Sequence, residues 1–147
     1  MSNNTVKNSY RILKEENLIV EYHGGVGKID DAIGFRKIQA SDPDFSPEFN
    51  VIVDLRDLAM DVQVNELRKL VEFYRQTPSI IGNRRNALIT ENPSQVVLAT
   101  MLKQLNADSR QSIKVVSTVG SAVNWVNTGL SGTYIANILQ ELKVKAV

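Results

Sequence analysis

Two short runs open the hydrophobic pattern, YRILKE over 10–15 and LIVEYH over 18–23, both rich in branched and aromatic residues. The polar pair Glu16 and Asn17 separates them, which predicts a β-hairpin. In the second run Leu18, Val20 and Tyr22 fall on one face of a strand, and Ile19, Glu21 and His23 fall on the other. Gly24, Gly25 and Gly27 are expected to break that strand and turn the chain into a helix over about 28–40. Ile29, Ala32, Ile33 and Ala40 form its stripe; Arg36 falls inside the stripe, Phe35 and Ile38 outside it. Pro43 and Pro47 cannot continue a helix, so SDPDFSPEF reads as a loop pinned by Phe45 and Phe49.

Val51, Ile52 and Val53 within NVIVDL have the unbroken apolar character of a central strand covered on both faces. A helix follows over about 63–76, carrying Leu67, Leu70, Val71 and Tyr74, and Pro78 and Gly82 end it. NALIT at 86–90 is a short buried strand. Asn92 then caps a helix with Pro93 at its first position. Val97, Leu98, Met101, Leu102 and Leu105 make the cleanest stripe in the chain. IKVVS at 113–117 is the last strand, and Thr118 can cap a helix carrying Val119, Ala122, Val123 and Val126.

The resulting order, β-β-α-β-α-β-α-β-α, predicts an α/β fold. It has a mostly parallel mixed sheet, one antiparallel strand from the opening hairpin, and right-handed crossovers. After the connector TGLSG, residues Tyr134, Ile135, Ile138, Leu139 and Leu142 mark a C-terminal amphipathic helix. The organisation expected is a flexible start over 1–9, a folded domain over 10–127, and a linker and helix over 128–147. The last stripe must be buried. Two placements stay open: back on its own domain against Phe35 and Ile38, or on a second copy as a homodimer through 133–143.

Composition narrows the function classes. The chain has 147 residues, 17 basic and 16 acidic side chains and a formal charge of +1, so no large basic field is available for nucleic acid. It has no cysteine and one histidine, which leaves no thiolate nucleophile and no multi-histidine metal site. No apolar run reaches the roughly 20 residues of a membrane span, and the polar opening MSNNTVKNS lacks the core of a signal peptide. A cytoplasmic protein without a cofactor is the expectation.

Most motifs fail on inspection. YHGGVGKID stands where a phosphate loop would, but Tyr22 and Ile29 occupy the glycine and hydroxyl positions of the Walker pattern. Asp30 stands where the third glycine of a dinucleotide fingerprint belongs. Asp54 resembles a receiver phosphoacceptor, yet Asp30 and Asp31 sit at a helix start rather than a strand end. No Ser lies in a Gly-x-Ser-x-Gly turn, and His23 is the only imidazole. Arg84 and Arg85, with Arg75, read as a solvated basic cluster.

The carboxylates offer more. In a parallel sheet the C-terminal strand ends share one rim, where ligands tend to bind. That rim should carry Asp54, Arg56 and Asp57, then Glu91 and Asn92, then Ser117 and Thr118, with helix N-termini pointing the same way. Such a set can receive a polar ligand or a partner's charged residue, or it can pair locally and cap loops.

The segments YRILKEENLIVEYHGGV, DPDFSPEFNVIVDLRD and ENPSQVVLATMLKQL together resemble the SpoIIAA-like branch of the STAS superfamily. The likeness runs from Tyr10 to Asn127, is most telling from Asp42 to Asp57, and leaves the C-terminal helix uncovered. It implies strands in near-sequential order and a non-enzymatic, regulatory role in protein interaction. Anti-sigma-factor antagonists of this kind carry a phosphorylatable serine in the turn after the strand matching NVIVDL. Here that turn reads LAMDVQVNE, with no hydroxyl, so a phosphoserine switch has nothing to act on.

Two functional expectations follow. One is a non-catalytic interaction module whose unidentified protein partner meets Arg56, Asp57, Asp61 and Glu66 on the segment from Arg56 to Glu66. The other is a carrier or sensor of a small lipophilic ligand, with an apolar pocket between sheet and helices closed by 128–147. Acid or base chemistry at Asp54 or Glu91 would need a carboxylate of raised pKa in a cleft, and no pattern in the chain points to one.

Overall fold

The second strand carries the centre of the molecule. Leu18, Ile19 and Val20 have no exposed surface, because helices cover both faces of the sheet around them. The computed structural model describes residues 5–107 and 109–146. Five strands, β1 (Val6–Leu13), β2 (Leu18–Gly27), β3 (Asn50–Met60), β4 (Arg85–Ile89) and β5 (Ser112–Val116), form one sheet in the order β1-β2-β3-β4-β5. β1 is antiparallel to β2, and every other neighbour is parallel. This is the alternation that the sequence predicts.

The helices are α1 (Ile29–Ala40), α2 (Val64–Gln76), α3 (Pro93–Leu105), α4 (Val119–Val126) and α5 (Gly132–Lys145). α1, α2 and α3 cover the face that carries Ile19, Glu21, His23, Val53 and Leu88. α4 and α5 cover the other face, packing on Leu18, Val20, Tyr22, Ile52 and Ile89. The side-chain period of two places consecutive residues of each strand in different cores.

Several expectations are corrected here. The chain is already a strand at Val6, so residues 6–9 are not part of a flexible start; residues 1–4 of that expected segment lie outside the described residues. The glycines do not break β2, which runs on to Gly27. The pairing with β3 slips between Tyr22 and Gly24, and Gly25 adopts φ +74 at the irregularity. A Cβ on Gly25 would lie 2.2 Å from the carbonyl oxygen of Thr5, so glycine here admits a close backbone rather than a turn.

In α3, Val97 faces out at 55% exposure, while Gln95 is buried at the start of the helix and Ala99 in its middle. The amphipathic stripe of α5 is buried within the chain: Ile135, Ile138, Leu139 and Leu142 join the core of β2 and β3. They do not meet Phe35 and Ile38, because α1 lies across the sheet. The stripe invoked for a homodimer through 133–143 is therefore already covered, except for Tyr134, which is exposed. Ser9 Oγ donates to the Leu142 carbonyl at 2.9 Å and Arg11 pairs with Glu141, fastening α5 to β1.

Candidate functional sites

β2 and β3 outrun the rest of the sheet. β4 ends opposite Asp54, whereas β2 stays paired with β3 as far as Met60. The carbonyls on this free stretch of β3 need donors, and α3 supplies one side chain for them. Gln95 Nε2 lies 2.8 Å from the Leu55 carbonyl oxygen and 3.0 Å from those of Arg56 and Leu58. Its Oε1 accepts from the backbone N–H groups of Glu91, at 2.7 Å, and Asn92, at 3.2 Å. Gln95 thus stands in for the missing length of β4.

At this strand end a polar cleft of about 250 Å³ brings together Asp54, Arg56, Asp57 and Glu91 with Tyr22 and, from α5, Gln140 and Lys143. Arg56 forks onto Asp54, Nε to Oδ1 and Nη2 to Oδ2, both at 2.9 Å. Asp57 Oδ2 accepts from the Tyr22 hydroxyl at 2.7 Å and pairs with Lys143 Nζ at 3.0 Å. Burial pushes the Asp57 carboxyl up, but the Tyr22 hydroxyl and Lys143 outweigh it and hold it below its ordinary value. Burial and then the neighbouring Asp57 raise the Tyr22 phenol. The Asp54 hydrogen bond keeps Arg56 firmly protonated. These charges pair with one another, and a lowered Asp57 is the opposite of what a general acid requires.

Three other residues singled out in the sequence lie outside this cleft. Asp61 is exposed, its backbone N–H donating to the Gly27 carbonyl at 2.9 Å. Glu66 Oε1 accepts from the Gln63 N–H at 2.7 Å and closes the first turn of α2. Thr118 Oγ1 accepts from the Ser121 N–H at 3.0 Å and caps α4. Tyr22, Gln140 and Lys143 were not foreseen. Tyr22 sits at the end of an apolar strand face, and the two α5 residues reach the rim only because that helix folds back. The partner segment expected from Arg56 to Glu66 is also less of a loop than its sequence suggests, since β3 continues to Met60.

On the other side of the sheet the apolar side chains fall into two groups. Ile19, Val51, Val53, Leu88, Ala99 and Ile113 belong to the sheet and α3; Ile29, Leu67, Leu70, Tyr74 and Ile81 pack among the helices. Between them lies a cavity of about 130 Å³, mostly apolar, lined by Val53, Leu55, Leu67, Leu70, Leu88, Leu98 and Ala99 among others. Half-buried Val6 and Asp31 and exposed Lys28 line its outer part. His23, Arg36, Tyr74 and Asn86, all buried, supply the polar part of its wall.

Behind that wall is a buried charge network. Glu21 has no exposed surface; its carboxylate accepts from Arg36 Nη1 and, at 2.8 Å, from Gln39 Nε2, and lies 3.0 Å from His23 Nε2. Burial alone would raise Glu21, but Arg36 and then His23 overrule it and hold the carboxyl far below its ordinary range. Arg84 is the second cation, 3% exposed, with Nε donating to Gln111 Oε1 at 2.8 Å. Burial, then the nearby charge of Arg36, push its guanidinium down to about 9, against the pull of Glu21 and Tyr74. The solvated cluster expected of Arg84, Arg85 and Arg75 is thus corrected. Arg84 is interior, whereas Arg85, over the Trp125 ring, and Arg75, 3.6 Å from Glu72, are exposed as expected. Residues 84 and 85 point to opposite faces of the sheet, so the pair cannot share one environment.

Among the described residues no group of three or more His, Asp or Glu is placed to hold a metal ion, and no helix is long and apolar enough to cross a membrane.

No family model matches the chain, and no curated protein does. Among solved structures, the chain is similar to an uncharacterized protein of the DUF3478 family with a SpoIIAA-like fold, from Shewanella loihica. The two share 14% identity with a TM-score of 0.53, over 86% of this chain and 98% of that one. Sequential strand order, an antiparallel first strand and helices on both faces agree with that likeness, and this chain has a SpoIIAA-like fold.

Proposed function

We propose that this domain is a non-catalytic binding module that takes a small, largely apolar molecule into the cavity between the sheet and α1–α3, as a carrier or sensor. One observation carries the reading: the buried side chains of the sheet core and of the helix core on this side form two groups, bridged by Leu102, with a cavity between them. The pocket opens outward at exposed Lys28, and its apolar walls favour contact with hydrocarbon over contact with water. A cavity of about 150 Å³ with aliphatic walls takes up benzene, which sets the scale of the ligand at a body of about six carbons. The segment 128–147 is not its lid. α1 and α2 form its outer wall, and α5 packs on the far face.

The test is a titration of the full chain with hexan-1-ol, followed by methyl NMR. The Leu67, Leu88 and Leu98 methyl resonances should shift together and saturate. Unmoved cavity methyls with shifts elsewhere would overturn the reading.

A second reading keeps the segment from Arg56 to Glu66 as a protein-docking surface. Its support is Val64, 48% exposed at the start of α2 beside the exposed charges Asp61 and Glu66. An apolar contact ringed by charges is the usual build of such a surface.

A further inference from the structure

We propose that the cavity selects a carboxylic acid, with the carboxylate held at the inner end by the buried guanidinium of Arg84; this rests on the cavity-binding reading above. On this side of the sheet two guanidinium groups, Arg36 and Arg84, are buried with one carboxylate, Glu21. Glu21 is committed to Arg36 and Gln39. Among the described residues neither Nη1 nor Nη2 of Arg84 has a hydrogen-bond partner, although both are fully buried. A buried cation with two idle donors is among the most costly arrangements a core can hold, and one anion resolves it.

Geometry selects the kind of anion. Nε of Arg84 is already used by Gln111, which leaves the two terminal nitrogens as an end-on fork. That fork matches the two oxygens of a carboxylate. Arg84 is not itself on the cavity wall but stands one side chain behind it, so the headgroup reaches it past Asn86. Gln111 Oε1, which accepts from Arg84, accepts at 3.1 Å from Asn86 Nδ2 as well, and Asn86 lines the cavity wall. Arg36, whose charge acts on Arg84, lines the same wall. Asn86 Oδ1 is a further buried atom without a partner among the described residues. The acid's hydrocarbon body then lies along Leu67, Leu88 and Ala99 toward the outer part of the cavity.

The experiment is calorimetric titration of the full chain with hexanoate, hexan-1-ol and hexylamine at neutral pH, repeated on Arg84→Met. Hexanoate should bind at least tenfold tighter than hexan-1-ol, and hexylamine should not bind. Arg84→Met should abolish the preference for the acid while leaving hexan-1-ol binding in place. Hexan-1-ol binding as tightly as hexanoate to the natural chain overturns the carboxylate inference and leaves the cavity reading standing; this comparison needs no variant. Hexanoate binding unchanged by Arg84→Met overturns it too, because the headgroup is then read elsewhere. Failure of all three compounds to bind overturns both readings.

Discussion

Arg36, on α1, places its guanidinium against the carboxylate of Glu21, a residue of β2 with no exposed surface. The pair ties a helix to the strand beneath it across a face that is otherwise apolar. Removing one partner of such a pair leaves the other charge buried alone, at about 3–5 kcal/mol. Glu21→Gln should therefore lose about that much stability in urea denaturation, a large share of what a domain of this size possesses. A loss under about 1 kcal/mol would mean that Arg36 finds another counter-charge.

The same pair gives a pH dependence. The folded-state pKa of Glu21 lies below the ordinary value of 4.5. Its stabilising contribution is complete above that value and is lost progressively as the pH falls toward the folded pKa. Urea midpoints should drop as the pH is lowered below about 4.5, and Glu21→Gln should flatten that part of the profile. A profile with the same acid slope in the variant would assign the effect to other carboxylates.

Arg84 predicts the opposite sign. Replacing an unpaired buried cation with an apolar side chain of similar length removes a desolvation cost, so Arg84→Met should stabilise the ligand-free protein by about 1–4 kcal/mol. Calorimetric melting checks this: the variant should melt several degrees higher. A lower melting point would show that the terminal nitrogens are well partnered in solution.

Gln95 is predicted to be irreplaceable by an apolar residue. Gln95→Leu strands the carbonyls of Leu55, Arg56 and Leu58 and frees the N–H groups of Glu91 and Asn92. Each buried polar group left unpaired costs about 1–3 kcal/mol. Hydrogen exchange at the Glu91 and Asn92 amides should accelerate more than at Leu88 or Val53. Uniform acceleration would indicate global destabilisation alone.

Asp61→Lys reverses an exposed charge whose side chain makes no hydrogen bond among the described residues. Stability should change by no more than about 0.5 kcal/mol. A protein partner docked on the segment from Arg56 to Glu66 should bind at least severalfold more weakly. Binding unaffected by the reversal would place the partner elsewhere.

How much of this was legible in the sequence follows from what each residue answers to. Period and turn residues put β2, β3, β4 and β5 in order with their helices, since those signals are local. The glycines of β2 misled because a bulge and a turn ask for the same residue; only the close approach of Thr5 separates them. Asp54, Arg56, Asp57 and Glu91 converge because strand ends share a rim, whereas Tyr22 and Lys143 join them through a helix whose return is set by tertiary packing. Glu21 and Arg36 were each visible as anomalies, a carboxylate beside Ile19 on a strand face and an arginine inside an apolar stripe. Read as a pair, those anomalies carry the signal of a buried salt bridge. Arg84 carried no such mark, since an arginine next to another arginine looks like surface.

The return of α5 to β1 and β2 has a consequence for synthesis on the ribosome. Each earlier crossover joins adjacent strands, so that much of the sheet can assemble while the chain is still growing. The face formed by Leu18 and Val20 must wait for Ile135, Ile138 and Leu142, more than a hundred residues later. Until those residues emerge, a nascent chain with half its sheet in place displays a greasy surface, which makes that interval the time at which chaperones and aggregation compete for it.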